Sequence, residues 1–173
     1  MLFISKKILN VEENMEIIKF NSFSNNYNWL SNFYKQHNLI ELKIFNVSIF
    51  FNSIEPAFQS LKLFHLEENK NELELITLFN FFSTLQNGDA KKEGNKLNIN
   101  LKSWEDKKLF YMEELIKRKF KNQNLKEKLL NTKEAMLIEY NTGSNYWGVN
   151  SKMIGENHLG RIIMSVRNFY NSL

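Results

Sequence analysis

A long helical segment, residues 103–123, constrains the fold of this chain more than any other. Its sequence is SWEDKKLFYMEELIKRKFKNQ, and its apolar residues recur at helical spacing along one face: Leu109, Met112, Leu115, Ile116 and Phe120. Such a stripe is typical of an amphipathic helix packed on a core. Ser103, followed three residues later by Asp106, resembles a capping box and predicts where the helix begins. We therefore expect a fold built mainly from helices.

Shorter patterns complete the predicted architecture. Helical spacing also occurs in segments 53–68, 71–84, 88–98, 124–132 and 159–170. Strand patterns cover 15–20, 134–140 and a predicted hairpin at 39–51 that turns near Asn46. The predicted fold class is α+β, predominantly helical, in a single compact domain with a small antiparallel β element. We expect residues 1–14 to be a peripheral leader and residues 15–173 to form the domain.

Composition excludes several classes of function. The chain has 173 residues and no cysteine, which excludes a thiolate nucleophile, a disulfide framework and a zinc site with cysteine ligands. It has no apolar run of the roughly 18 residues that a membrane span requires. The N-terminal stretch lacks the apolar region and cleavage site of a signal peptide. We therefore expect a cytoplasmic protein without a membrane partner.

Net charge leaves the choice of partner open. The formal charge is +4 with an isoelectric point near 9.1, which suits a polyanion such as nucleic acid. A lysine-rich composition explains the same excess without any partner. The three histidines, His37, His65 and His158, show no metal-ligand spacing, so we expect no metal. The chain also lacks the glycine-rich phosphate loops and the nucleophile elbow of common enzyme motifs.

The stretch NSIEPAFQSLKLF, residues 52–64, combines an apolar helix with a row of polar side chains. Ser53 is the predicted N-cap and Pro56 lies in the first turn, where a missing N–H is tolerated. Glu55, Gln59 and Lys62 are spaced four and three apart and share one helical face. A carboxylate there can act as a general base, and a nearby ammonium favours its ionised form. A solvated face with a structural charge pair explains the spacing equally well.

Three further features are candidates for a binding site. The segment WLSNF, residues 29–33, is either an aromatic loop anchor or a ligand wall. The loop NYWGVNSKMIGENHLG contains Gly148 and Gly155, and glycines allow backbone amides to approach a ligand. Trp104 begins the long helix, where an indole either stacks on a ligand ring or fills the core.

Taken together and in order, these motifs resemble the NADAR (YbiA-like) family. The resemblance extends over about residues 17–170, nearly the whole chain. The residues that carry it are Leu30 to Phe33; Glu55, Phe58, Gln59 and Lys62; Ala90, Lys91 and Gly94; Trp104; Lys119 and Phe120; Leu129, Leu130 and Thr132; Leu137 and Glu139; Tyr146 to Gly148; and Gly155, Asn157, Leu159, Gly160, Met164 and Arg167.

The resemblance implies an N-glycosidase that cleaves N-glycosidic bonds to ribose without a cofactor. One branch of the family removes ADP-ribose from guanine in DNA and can act as antitoxin to a DNA ADP-ribosyltransferase. Another branch hydrolyses ribosylamino-pyrimidine phosphate intermediates of riboflavin synthesis. We expect the first activity, with DNA carrying ADP-ribosylated guanine as the substrate and functional pairing with such a transferase. The second activity is the alternative.

The resemblance also implies roles for individual residues. Glu55 is the expected catalytic anion beside C1 of the ribose, and Lys62 either orients Glu55 and a phosphate or forms a Schiff base with the opened sugar. The expected substrate-binding residues are Ser31, Asn32, Phe33, Gln59, Trp104, Tyr146, Trp147, Gly148, Gly155 and Asn157.

Two departures from the family pattern leave other classes of function open. Ser144 stands where an aspartate is usual, and Val149 stands where a polar residue is common. A module that binds ADP-ribose or a nucleotide without catalysis therefore remains an alternative. A purely structural interaction domain is a third, and it predicts no pocket around Glu55.

Overall fold

The computed structural model describes residues 16–141 and 143–173 and places four strands and six α-helices there. In chain order these are β1 (Ile17–Phe20), β2 (Ile40–Ile44), β3 (Val47–Phe51), α1 (Ile54–Ser60), α2 (Glu72–Thr84), α3 (Asn87–Lys96), α4 (Leu101–Lys119), α5 (Gln123–Leu130), β4 (Met136–Glu139) and α6 (His158–Asn171). Two 3-10 helices cover Asn28–Leu30 and Leu61–His65. The predicted α+β class, mainly helical with a small antiparallel element, is confirmed. The predicted leader, residues 1–14, lies outside the described residues, and the division at residue 15 stays a prediction.

The strands form two separate pairs. β2 and β3 make the predicted antiparallel hairpin, and Phe45 in the turn adopts a left-handed φ of 52°. β1 and β4 pair in parallel, with Phe20 opposite Glu139. Because these strands run in the same direction, the residues that follow them meet at one edge. That edge is where the cavity described below opens.

Helix α1 is buried along its whole length. All seven of its residues are buried, and it packs against α2, α3 and α4. Its apolar residues Ile54, Ala57 and Phe58 pack in the core, and Glu55 and Gln59 are buried with them. Ser53 precedes the helix as predicted, but its hydroxyl donates to Asn87 Oδ1 at 2.6 Å instead of capping the helix. The α-helix ends at Ser60, earlier than the predicted residue 68.

Helix α4 has the predicted amphipathic face, except that Leu109 is exposed. Met112, Leu115 and Ile116 are buried, and α4 packs against α6 and α1. The predicted start was wrong by one short turn, because Asn100 is the N-cap and accepts a hydrogen bond from Ser103 N at 2.9 Å. No helix in the described part of the chain is both long and apolar enough to cross a membrane.

Candidate active site

A cavity of about 470 Å³ opens at the edge where β1 and β4 end. We call it the Glu55 cavity. Its buried floor is formed by Ser31, Asn32, Glu55, Phe58, Gln59, Met112 and Glu139, and its more exposed rim by Asn21, Ser22, Phe23, Phe33, Gly88, Lys91, Asn141, Ser144 and Trp147. A cavity around Glu55 contradicts the structural interaction domain considered above, which requires none.

Glu55 is held at the floor of the cavity by two hydrogen bonds. Its backbone N–H donates to Asn32 O at 3.1 Å, and Gln59 Nε2 donates to its carboxylate at 3.0 Å. Its side chain is only 7% exposed. Burial raises the pKa of Glu55 above its usual value, while the Gln59 hydrogen bond and the charges of Lys91 and Lys62 oppose that rise. The predicted effect of a nearby ammonium, which favours the ionised form, is therefore present, but desolvation is the larger effect.

Glu139 brings a second carboxyl group to the same floor. It closes β4 and is 8% exposed. Burial raises its pKa to about 7, the negative charge of Glu55 adds to the rise, and Lys91 opposes it. The sequence reasoning included Glu139 in the family pattern but assigned it no role in the site. An acidic residue closing an otherwise apolar strand was the signal that could have identified it.

Gly148, Gly155 and Asn157 of the glycine-containing loop lie behind Glu139 instead of lining the cavity. Asn157 Oδ1 accepts from Glu139 N at 3.0 Å, and Val149 N donates to Glu139 O at 2.8 Å. A Cβ on Gly148 would lie 2.4 Å from Glu139 O, and one on Gly155 would lie 2.2 Å from Gly148 O. The predicted substrate contacts of Gly148, Gly155 and Asn157 are therefore corrected, because the two glycines approach neighbouring backbone and the Asn157 side chain binds the backbone of Glu139.

Lys91 lines the cavity, and the predicted site residue Lys62 does not. Lys62 Nζ donates to Gly94 O at 3.1 Å and to Asn95 Oδ1 at 3.3 Å, and Lys62 does not line the cavity. Burial lowers its pKa. Lys91, which received no predicted role, lines the cavity and is exposed at its rim. The cation available to a ligand is therefore that of Lys91.

The wall formed by Ser31, Asn32 and Phe33 lies at the cavity as predicted. The wholly buried Lys119 fixes it, because its Nζ donates to Ser31 O at 2.7 Å. Burial lowers the pKa of Lys119 to about 7. Asn87 Nδ2 donates to Phe33 O at 2.9 Å. Asn32 Oδ1 is buried and has no hydrogen-bond partner among the described residues.

Apart from Phe33, one of the three other predicted aromatic contacts lines the cavity. Trp147 does so and meets Phe58 edge-on at 5.4 Å. Trp104 is buried against Phe58 at 5.1 Å, so it fills the core, the alternative considered above. Tyr146 lies outside the cavity with its ring 4.3 Å from that of His158. The predicted ligand contacts of Trp104 and Tyr146 are therefore corrected.

His65 and His158 each have their own separate partners. His65 lies between Ser103 Oγ at 2.7 Å and Tyr111 Oη at 3.1 Å, and His158 lies 2.8 Å from Glu156. Over residues 16–141 and 143–173, no three side chains of the metal-ligating types form a cluster. Among the described residues, the polar side chains that line the Glu55 cavity are carboxyls, amides, serine hydroxyls and the Lys91 ammonium.

The fold is thus a single α+β domain with a carboxylate-lined cavity at the ends of two parallel strands. The NADAR domain family matches residues 19–170, and the chain belongs to this family. The resemblance read from the ordered motifs is confirmed.

Two known proteins are similar to this chain. The NMR structure of the Escherichia coli protein YbiA has a TM-score of 0.70 and 24% sequence identity, covering 91% of this chain and 86% of that one. This is a likeness of fold. The N-glycosidase Npun_R5314 of Nostoc punctiforme is 34% identical over 67 residues, which cover 38% of this chain. That match spans 43% of the relative's length, less than half of it.

Proposed function

We propose that this protein is an N-glycosidase that hydrolyses an N-ribosidic bond. The observation that carries the proposal is the meeting of Glu55 and Glu139, from separate elements, at the floor of one cavity beside the amides of Asn32 and Gln59. Membership of the NADAR family and the N-glycosidase name of the Nostoc relative support it.

Glu55 is suited to the anionic role in this reaction. Cleavage of an N-ribosyl bond passes through a cation-like state at C1 of the ribose, which a nearby carboxylate stabilises. The Gln59 hydrogen bond and the positive charge of Lys91 both favour the ionised form of Glu55. As the carboxylate stabilises C1, it can also accept a proton from the water that attacks that carbon.

Glu139 is suited to the acidic role. Its pKa of about 7 keeps a large fraction protonated near neutral pH, because it is buried beside the negative charge of Glu55. As the bond from C1 to nitrogen breaks, the Glu139 proton passes to the departing nitrogen. Water supplies the oxygen that joins C1, and its proton passes to Glu55. Burial opposes ionisation of both groups, and the negative charge of an ionised Glu55 favours the protonated form of Glu139. Two neighbouring carboxyl groups, one ionised and one protonated, are the usual arrangement for such chemistry.

The remaining cavity residues suit the rest of a ribosyl ligand. Asn32, at the floor, can form a hydrogen bond with a ribose hydroxyl, and Trp147 offers an aromatic surface at the rim. Lys91, also at the rim, can pair with a phosphate. Val149 does not line the cavity, so its apolar side chain leaves the site unchanged. Ser144, at the rim, replaces the usual acid, while Glu139 keeps a carboxyl group at the floor. These observations favour catalysis over a binding-only module.

Among substrates, we favour ADP-ribosylated guanine in DNA. The net charge of +4 suits a polyanionic substrate, and a DNA ADP-ribosyltransferase is the class of enzyme that would supply it. The test is incubation with an oligonucleotide carrying ADP-ribosylated guanine, beside ribosylamino-pyrimidine phosphate, with products followed by mass spectrometry. We expect free ADP-ribose from the oligonucleotide. Cleavage of ribosylamino-pyrimidine phosphate alone would instead indicate the riboflavin-intermediate activity. Ligand binding without cleavage of either substrate would support the binding module.

The pH dependence of cleavage tests the role of Glu139. For the wild type, we expect kcat/KM to fall as pH rises through about 7, since the proton that Glu139 must donate is lost there. Replacing Glu139 by glutamine should lower kcat/KM by about 10² to 10⁴-fold and remove that decline, because an amide does not titrate. The measurement is kcat/KM between pH 5 and 9.

A matched control keeps this result specific. The exposed Glu67, outside the cavity, should tolerate replacement by glutamine with no change in the profile. A Glu139→Gln protein that retains both the wild-type rate and the decline above pH 7 would contradict the acidic role.

A further inference from the structure

One rim residue, Phe23, has no role in the cleavage step. Its side chain is 92% exposed, yet it lines the Glu55 cavity. Single exposed apolar side chains are common on protein surfaces, so exposure alone carries no meaning. Phe110, for example, is 58% exposed and lies away from the cavity. The distinguishing property of Phe23 is an aromatic ring presented to solvent at the mouth of a ligand cavity.

The backbone of Phe23 is held in place by a hydrogen-bonded turn between Asn21 and Ser24. Asn21 Oδ1 accepts from Phe23 N at 2.9 Å, and Asn21 O accepts from Ser24 N at 3.2 Å. Asn21 N in turn donates to Ser24 Oγ at 2.9 Å. Asn21 Nδ2 also donates to Tyr140 O at 3.1 Å, directly after β4. The turn is therefore tied to the strand that carries Glu139, and the position of the Phe23 backbone is fixed relative to the cavity floor.

The division of the cavity into floor and rim indicates which part of a bound ligand would contact Phe23. Carboxyl and amide groups at the buried floor suit a ribose and the bond cleaved there. A planar ring attached beyond that ribose must pass the rim, where Phe23 offers a free aromatic face and Lys91 a positive charge for a linking phosphate. Aromatic side chains stack on heterocyclic bases with little dependence on which base is present.

We propose that Phe23 is a specificity-determining residue that stacks on a heterocyclic ring of the substrate projecting from the Glu55 cavity. The proposal rests on the proposed N-ribosidase function for the identity of the ligand. It implies that ring-bearing ligands bind more tightly than the bare sugar phosphate, because only they reach the rim.

Binding measurements on a Phe23→Ala protein test this inference. We expect its Kd for ADP-ribose to rise about 10-fold, as for the loss of one stacked base, and its Kd for ribose 5-phosphate to stay unchanged. A Phe23→Trp protein should keep or improve the ADP-ribose affinity, since an indole also stacks. Phe110→Ala is the matched control for loss of an exposed phenylalanine and should bind both ligands as the wild type does. Circular dichroism should show an unchanged fold, because the Phe23 ring contributes little buried area.

The outcomes separate this inference from the proposed function. Unchanged ADP-ribose affinity in Phe23→Ala, an equal loss for ribose 5-phosphate, or no binding of ADP-ribose by the wild type would each overturn the inference. Cleavage is measured separately on the wild type. A protein that binds ADP-ribose through Phe23 but cleaves no ribosyl substrate would keep the stacking role and contradict the N-glycosidase.

Discussion

Replacing Glu55 by glutamine is expected to reduce N-ribosidic cleavage by about 10³-fold or more while the fold is retained. Glutamine has nearly the same shape as glutamate. Its amide oxygen can still accept the hydrogen bond from Gln59 Nε2, which in the wild type lies 3.0 Å from the carboxylate. It carries no charge to stabilise the cation-like state at C1 and accepts no proton from water. The measurement is kcat under substrate saturation with the preferred ribosyl substrate.

Thermal unfolding distinguishes a chemical loss from a structural one. Glu55 is a buried, desolvated carboxyl group, so its neutral replacement should leave Tm equal to or above that of the wild type. The exposed Glu67→Gln protein serves as the control, with wild-type kcat and Tm. An undiminished kcat in Glu55→Gln would remove Glu55 from the mechanism. A lowered Tm would instead assign it a structural role.

Replacing Gly160 by alanine is expected to give the largest loss of stability among the simple substitutions considered. A Cβ there would lie 2.2 Å from Leu137 O and 2.6 Å from the Asn157 side chain. Helix α6 packs directly against β4 at this point, so the helix must move away from the strand. Overpacking of this kind costs about 1–3 kcal/mol. In a protein of this size, we expect Tm to fall by roughly 2–4 °C for each kcal/mol.

A second glycine provides the control for this substitution. An alanine at Gly88, in the first turn of α3, would have nothing within 4 Å of its Cβ. Because alanine favours the helix over glycine, Gly88→Ala should keep or raise the Tm. Equal Tm values for the two variants would contradict close packing at Gly160. Since β4 ends in Glu139, Gly160→Ala should also slow cleavage.

Local patterns in the sequence determined the elements and one face of the site. The stripe of α4 and the hairpin at β2 and β3 follow from periods set by the geometry of helix and strand. The spacing of Glu55 and Gln59, four residues apart on one helix, predicted side chains that do meet. The ordered motifs identified the family because their spacing persists along nearly the whole chain.

Lys62 shows where local spacing ceased to be informative. It follows the end of α1 and lies in the 3-10 segment Leu61–His65. A change from 3.6 to 3.0 residues per turn alters the direction of its side chain. Its Nζ accordingly reaches Gly94 and Asn95 on α3 instead of the cavity. Those partners are more than 30 residues away in sequence, so the residue spacing within α1 could not predict these contacts.

The tertiary structure alone decided the chemistry of the cavity. The parallel pairing of β1 with β4 joins segments far apart in sequence and brings Glu139 to the same floor as Glu55. The raised pKa values of both carboxyls then follow from burial and, for Glu139, from the second negative charge. Spacing along the chain predicts which side chains share a face. Only the packed structure determines which of these side chains are buried together. Burial removes water from a carboxyl group and so raises its pKa towards the range useful for catalysis.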